Sequence, residues 1–253
     1  MEQNNILLRG TLQELPKFSH ENHGRRFYKF LLEVPRLSGA VDILPIIAQE
    51  HTVFRIDPTA GSMLTVSGQI RSHNIRQENA RHLLIFVFAT DIVAEDGEPI
   101  NEAHIEGPIC RAPTYRRTPL GREICDVMLC VPRAFHRADY IPCILWGRTA
   151  FEVSDCTVRQ VLSIQGRLQS RIYNKVTESG NEERTAYELS ALTADFLDDS
   201  SGICRGGPLF VISNATQIVL RLKEGNARCP YSIISKCFVR VQTFSLCKSL
   251  FLW

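Results

Sequence analysis

The sequence predicts a mainly β protein built from two tandem five-stranded barrels, followed by a C-terminal extension of a different character. The first observation is an internal repeat, because residues 10–47 align without a gap to residues 107–144 at an offset of 97. The second is a further block, in which residues 68–72 match residues 166–170 at an offset of 98. Two glycines and three prolines of residues 10–47 recur at the matching positions of residues 107–144. A repeat of this length is a whole small domain rather than one unit of a solenoid.

Each copy has the pattern of several strands and one short helix. Long runs rich in β-branched and aromatic residues follow a glycine turn at Arg26–Pro35 and Glu123–Pro132. The other predicted strands are Val41–Ala48, Met63–Asn74, Arg81–Val93, Asp139–Trp146, Val161–Lys175 and Arg184–Ala194, and the predicted helices are Gln49–Asp57 and Arg148–Asp155. The order β-β-β-α-β-β, with a glycine inside the first and fourth strands to permit sharp coiling, is typical of the OB-fold, a five-stranded Greek-key barrel.

These segments divide the chain into four parts. We expect the first barrel at residues 1–93, a linker at 94–102, the second barrel at 103–194 and an extension at 195–253. The linker is acidic and contains Gly and Pro. The extension matches neither copy, and two interpretations of it stay open: an added strand or helix, or an accidental continuation of the reading frame.

Composition narrows the class of protein. The chain is 44% hydrophobic and 22% charged, as globular proteins are, and no apolar run reaches the ~18 residues of a membrane helix. Its nine cysteines are an odd number without a C-x-x-C pair, which favours reduced thiols in a cytosol over disulfides or zinc. Neither a G-x-x-x-x-G-K-[ST] loop nor an H-E-x-x-H motif is present. We therefore expect a protein that is not an enzyme and has no cofactor or metal.

Positive charge is concentrated in the second copy. Residues 1–97 hold ten Lys/Arg against eleven Asp/Glu, whereas residues 111–175 hold eleven against five, in a chain of net charge +2. A local basic face is the electrostatic footprint of a phosphate binder. The candidate phosphate contacts are Arg116, Arg117, Arg122, Arg133, Arg137, Arg148, Arg167, Arg171 and Lys175.

Aromatic residues stand between these cations, at Phe135, Tyr140, Trp146 and Tyr173. Because side chains alternate along a strand, the even spacing of Tyr140 and Trp146 places both on one face. Proteins that hold single strands combine cations along the backbone with flat rings on which bases stack. Taken singly, each ring would also suit a barrel core.

Several motifs of the second copy occur together, namely Gly107, Pro113, R-R-T-P-L-G-R at 116–122, D-Y-I-P-C-I-L-W-G-R-T-A at 139–150 and G-R-L-Q-S-R-I-Y at 166–173. With them, residues 103–192 resemble the bacterial single-stranded DNA-binding protein (SSB) family in its tandem two-barrel form. The resemblance implies that Phe135, Tyr140, Trp146 and Tyr173 stack with DNA bases, in a protein that binds single-stranded DNA without sequence preference during replication, recombination and repair. It further implies four barrels per assembly, hence a homodimer, in the bacterial cytoplasm at the nucleoid.

The first copy resembles the same family through its glycines and V-P-R motif, but none of its four stacking positions, Ser38, Ile43, Gln49 and Ile75, is aromatic. We therefore expect this copy mainly to scaffold, or to pair with other barrels. Its Phe18 is matched by Tyr115, which favours a place in the core. The family's acidic tail with a hydrophobic tip, which recruits repair and replication proteins, has no counterpart in the last residues, so we do not expect recruitment by that route.

Two other functions stay open from the sequence. One is a protein-interaction module, such as a primosome-like accessory factor, which would use its barrels for subunit contacts. The other is an RNA-binding OB protein, because stacking and phosphate contacts do not exclude a 2′-hydroxyl.

Overall fold

The computed structural model describes residues 3–77, 80–177 and 180–197, so the predicted extension lies outside the described residues from position 198 onward. The elements of the first copy are β1 (Asn4–Leu12), β2 (Lys17–Asn22), β3 (Arg25–Pro35), β4 (Val41–Gln49), α1 (Glu50–Phe54), β5 (Met63–Gln77) and β6 (Ala80–Ala94). Those of the second are β7 (Ile100–Pro108), β8 (Thr114–Arg117), β9 (Glu123–Arg133), β10 (Arg137–Trp146), α2 (Gly147–Ser154), β11 (Val161–Thr177) and β12 (Gly180–Leu197). Neither helix has the length or apolar character needed to cross a membrane.

Five strands of each copy close into a barrel. In the first barrel β1 pairs with β3 and β5, β3 pairs with β4, and β6 joins β5 to β4, with β4 and β6 parallel and the other pairs antiparallel. Strands β7, β9, β10, β12 and β11 repeat this order in the second barrel, where a bridge between Ile109 and Leu129 closes the ring. This is the Greek-key order of the OB-fold, so the predicted fold class is confirmed for the described residues.

Alternation along the strands fills both barrels with apolar side chains. Leu8, Leu32 and Ile46 of the first barrel have no exposed surface, and neither do Leu129, Ile141 and Leu168 of the second. Removing such side chains from water provides the main stabilisation of a domain of this size.

A glycine lies where the fourth strand of each barrel bends. The register between β5 and β6 shifts at Gly68, and that between β11 and β12 shifts at Gly166. A Cβ atom at Gly68 would overlap the carbonyl oxygen of Phe88, and one at Gly166 would overlap that of Ser190. Because only glycine permits so close an approach of two backbones, the predicted coiling role of these residues is confirmed.

The two barrels share a continuous twelve-stranded sheet within the described residues. Strands β1 and β7 join them, pairing antiparallel from Asn4 opposite Ile105 to Arg9 opposite Ile100. In this pairing Ile6 lies opposite Ala103, which is its own counterpart at the offset of 97. The two barrels are therefore related by an approximate twofold axis, as two copies of one subunit would be.

The observed elements differ from the predicted ones by one to four residues at their ends, and the largest consequence is at the predicted domain boundaries. Strand β7 begins at Ile100, so residues 100–102 of the predicted linker pair with β1, and β12 runs to Leu197, three residues into the predicted extension. Local composition is a poor guide here, because a neighbouring strand rather than the residues themselves holds these segments extended.

Candidate nucleic-acid interface

Strand β10 places two rings on the outside of the second barrel. Its residues Asp139, Ile141 and Leu145 point inward and have no exposed surface. Tyr140 and Trp146 lie on the opposite face and are 40% and 37% exposed. The Trp146 indole Nε1 donates a hydrogen bond to Ser190 Oγ over 3.1 Å, which fixes the ring plane against β12 and leaves the other parts of the ring free to stack.

Of the other two rings, one lies in the turn before this strand and one lies on β11, which β12 separates from β10. Phe135 lies in the turn between β9 and β10, where Phe135 and His136 adopt positive φ angles of 60° and 54°, and its side chain is 91% exposed. Tyr173 lies on β11 and is 38% exposed, with the Arg171 guanidinium 5.8 Å from its ring centroid. All four predicted stacking residues are exposed, so none of them is a buried core residue, and stacking on bases stays a prediction.

A shallow cleft connects the face of β10 with that of β11. It is lined by Pro142, which lies between Tyr140 and Trp146 on β10, and by Arg171, whose guanidinium lies beside Tyr173. Two further arginines line it, Arg116 and Arg111. Arg111 was not among the sequence-predicted residues, although it belongs to the same basic segment and follows β7 directly. Three arginines therefore line this cleft together with two carboxylates, Asp126 beside Arg116 and Glu188 beside Arg171.

Four of the predicted arginines form ion pairs, of which three are exposed or half-exposed and the fourth, Arg171–Glu188, has a carboxylate that is only 12% exposed. The pairs are Arg116–Asp126 at 2.7 Å, Arg117–Glu123 at 2.9 Å, Arg148–Glu152 at 2.8 Å and Arg171–Glu188 at 3.5 Å. Such pairs contribute about 0–1 kcal/mol, so a guanidinium loses little when it exchanges its carboxylate for a phosphate. Arg122 and Arg137 are exposed as well.

Arg133 and Arg167 differ in their surroundings from these exposed arginines. Arg133 donates to the buried carboxylate of Asp139 over 3.3 Å, at the contact between the barrels. Its side chain is 31% exposed and shares this one carboxylate with Arg71, so contact of Arg133 with phosphate stays a prediction. The Nε of Arg167 is buried without a hydrogen-bond partner in the described part of the chain. The backbone of Lys175 belongs to β11, and its side chain lies outside what the structure describes.

Burial and a neighbouring thiol shift the pKa of one of the rings, the Tyr140 phenol. Partial burial raises the pKa of the Tyr140 phenol above its usual value, and the Cys130 thiol opposite it on β9 adds to the shift. A tyrosine phenol is already neutral at physiological pH, and the raised pKa keeps this ring neutral to a higher pH still.

The corresponding face of the first barrel has no aromatic side chain at the four positions. Ser38 and Ile43 are exposed there, and Gln49 and Ile75 are half-buried. The first barrel does carry an aromatic corner elsewhere, consisting of Phe18, Tyr28 and Phe54.

In this aromatic corner, Phe18 and Phe54 are 51% and 48% exposed and meet Tyr28 edge-on at 6.0 Å and 4.8 Å. The expectation that Phe18 and its counterpart Tyr115 belong to the core is wrong, because Tyr115 is also 39% exposed. Each of these two residues lies on a short strand at an edge of the sheet. Phe18 lies on β2, which pairs with β3, and Tyr115 lies on β8, which pairs with β9.

Because one chain forms two OB-fold barrels, this protein belongs to the class of tandem OB-fold proteins. Residues 100–197 match the model of the single-strand binding protein family. The chain is 33% identical to single-stranded DNA-binding protein 1 of Staphylococcus aureus (strain COL) over 118 residues, which are 43% of this chain and 67% of that protein. It is 29% identical to single-stranded DNA-binding protein B of Bacillus subtilis (strain 168) over 102 residues, which are 38% of this chain and 85% of that protein.

Among solved structures, the fold is similar to that of the wild-type single-stranded DNA binding protein from Thermus aquaticus. The TM-score is 0.64 at 19% identity, and the match covers 81% of this chain and 96% of that chain. This coverage is more than either barrel alone could provide, so the likeness of fold extends over both. The chain belongs to the single-strand binding protein family.

Proposed function

We propose that this protein binds single-stranded DNA without sequence preference through the outer face of its second barrel. The observation that carries the proposal is the exposure of all four predicted rings, Phe135, Tyr140, Trp146 and Tyr173, on a barrel whose Arg171 lies 5.8 Å from the Tyr173 ring centroid. By coating unpaired strands, the protein would protect them during DNA replication, recombination and repair.

Stacking and ion exchange together account for such binding. Each base that stacks on an aromatic ring contributes about 1–3 kcal/mol, and every base has a flat face, so no sequence is preferred. Arginines that exchange a carboxylate partner for a phosphate release counterions from the DNA, which makes the affinity fall as salt is added. This function needs no catalytic group, and the described residues contain no cluster of His, Cys, Asp or Glu that could hold a metal ion.

The first barrel then acts mainly as a scaffold. Its counterpart face carries Ser38, Ile43, Gln49 and Ile75, which offer no aromatic surface for a base. Its charge is also slightly negative, with ten Lys/Arg against eleven Asp/Glu in residues 1–97. Both features disfavour tight contact with a polyanion.

Assembly and location form part of the same proposal. Two chains would supply four barrels, and such a homodimer would have a mass in light scattering of about twice the 28.7 kDa of one chain. A protein that coats unpaired DNA in a bacterium acts in the cytoplasm, at the nucleoid. Replication and repair proteins are further partners that such a DNA-bound protein would meet there.

A fluorescence titration tests the proposal on the full chain, because the two barrels share a sheet and separate halves would expose strands β1 and β7. In a Trp253→Phe variant, Trp146 is the single tryptophan. We expect a dT oligomer to quench its emission, with an affinity that falls as salt is added. Matched RNA and duplex DNA oligomers serve as competitors. Equal competition by RNA would favour the RNA-binding alternative, and an emission unchanged by any oligomer would remove the basis for nucleic-acid binding.

A further inference from the structure

We infer that Ser72 of the first barrel is a positioning residue for Tyr140 of the second barrel. Through it, the barrel without stacking rings would set the geometry of the strand that carries them. This inference rests on the proposed function, since it concerns how the same DNA-binding face is held in place.

The first step is the burial of Asp139, the residue that precedes Tyr140 on β10. Its carboxylate has no exposed surface. It accepts hydrogen bonds from the Ser72 backbone N–H over 2.7 Å and from Arg71 Nη1 over 3.1 Å, both in the first barrel, and from Arg133 Nη1 over 3.3 Å in the second. We call Asp139, Ser72, Arg71 and Arg133 the Asp139 cluster. Charge-assisted bonds to a buried carboxylate are strong and hold it in one position.

The second step is a hydrogen bond in the opposite direction. The backbone N–H of Tyr140 donates to Ser72 Oγ over 2.8 Å. On its other side, Tyr140 pairs with Cys130 of β9. The parallel pairing of β10 with β12 involves Cys143 and Ile144, further along the strand. At Tyr140, therefore, Ser72 takes the place that a neighbouring strand would otherwise occupy.

The twofold relation supplies a twin of this arrangement, which we call the Asp42 cluster. Asp42 is also without exposed surface and accepts hydrogen bonds from Arg36 Nε over 2.7 Å and from the Ser170 backbone N–H over 2.7 Å. The residue after it, Ile43, donates its backbone N–H to Ser170 Oγ over 3.2 Å. Ile43 stands at the position that Tyr140 occupies in the second barrel. The molecule thus holds one strand with a stacking ring and one without in the same way.

The two clusters differ in one cation. Arg71, which reaches Asp139 from the other barrel, corresponds to Gln169 at the offset of 98, and Gln169 instead donates to Glu188 over 2.9 Å. The cluster beside the stacking tyrosine therefore receives a second cross-barrel donor. In the Asp42 cluster the additional bond between the barrels runs instead from Arg36 Nη2 to the Ser170 carbonyl oxygen over 3.1 Å, so only the carboxylate beside Tyr140 accepts from a cation of the other barrel.

A comparison of three full-length variants tests the inference. Ser72→Ala removes the acceptor for the Tyr140 N–H, together with the longer bond from Ser72 Oγ to Asp139 at 3.4 Å, and leaves every ring and arginine intact. We expect its Kd for a dT oligomer to rise about two- to tenfold, the range set by one ordinary hydrogen bond, and its Tyr140 amide to exchange with solvent faster. Ser72→Thr keeps the hydroxyl and should restore both values. The matched control Ser170→Ala should speed exchange at Ile43 and leave the Kd unchanged.

The outcomes separate a positioning role from a structural one. An unchanged Kd in Ser72→Ala, or an equal rise in Ser72→Ala and Ser170→Ala, would overturn the inference, because docking of the barrels alone would then account for the data. If the wild-type chain bound no DNA, the proposed function would fail by itself. Exchange at Tyr140 would still decide whether Ser72 holds this strand, and unaltered exchange in Ser72→Ala would refute it.

Discussion

Asp42 and Asp139 are fully buried carboxylates that each accept a hydrogen bond from the backbone N–H of a serine in the other barrel. Ser170 donates to Asp42 and Ser72 donates to Asp139, each over 2.7 Å. The V-P-R motif and the aspartate that follows it stand in both copies at the same offset. Their repetition therefore encodes the contact between the barrels, which both copies make, and not the proposed DNA-binding face, whose rings only the second copy carries.

Removal of one of these carboxylates should destabilise the fold. Asp139→Ala removes the carboxylate that Arg71 and Arg133 share at the contact between the barrels. We expect the free energy of unfolding in urea to fall by about 2–4 kcal/mol. The loss is smaller than for a wholly buried pair because Arg133 keeps some contact with solvent. Asp91→Ala is the control, since the Asp91–Arg55 pair is about half exposed on both sides. Similar losses in the two variants would refute a special role for the buried contact.

Truncation of Trp146 should weaken DNA binding without unfolding the barrel. Because one stacked base is lost, we expect Trp146→Ala to raise the Kd for a dT oligomer by the equivalent of about 1–3 kcal/mol. Gln49 is the equivalent position in the first barrel, and Gln49→Ala should leave the Kd unchanged. Since Trp146 supplies the fluorescence signal, a labelled oligomer followed by anisotropy serves for both variants. Wild-type affinity in a folded Trp146→Ala protein would contradict stacking at this ring.

Loss of an arginine that contacts phosphate should change the salt dependence of binding. The Arg148 side chain is 91% exposed and pairs with Glu152 at 2.8 Å. We expect Arg148→Ala to reduce the slope of log K against log salt by about 1, because one fewer counterion is released. Arg55→Ala removes an exposed arginine from the first barrel and should leave the slope as it is. An unaltered slope in Arg148→Ala would exclude this residue from the DNA path.

The buried cysteines should resist alkylation in the native protein. Burial raises the pKa of the Cys125 thiol to about 11 and raises that of Cys143 as well. The thiolate is the reactive form, and it becomes abundant only as the pH rises to the raised pKa, so at pH 8 very little is present. We expect iodoacetamide to modify both residues in denaturant and neither in buffer, as read by peptide mass spectrometry. Rapid native modification of Cys125 at pH 8 would show that β9 opens readily.

Much of this architecture was predictable because its signals are local. The glycines at 68 and 166 and the alternation around Tyr140 and Trp146 depend on neighbours along the chain, so the barrel order and the outward face of β10 could be inferred from letters alone. The bounds of β7 could not, because residues 100–102 are held extended by β1, which lies almost a hundred positions away in the sequence.

The sequence by itself determined that one OB-fold occurs twice and that the second copy alone carries rings at the four stacking positions. The tertiary structure decided which charged side chains are ion-paired and which rings are exposed to solvent. In the sequence, Arg133 looks like any other arginine of the basic segment, but in the structure it pairs with the buried Asp139 at the contact with the first barrel. Phe18 resembles a core residue until edge strand β2 places it outside. Burial and ion pairing depend on which distant segments meet, and that information enters only when the chain closes into barrels and the barrels join.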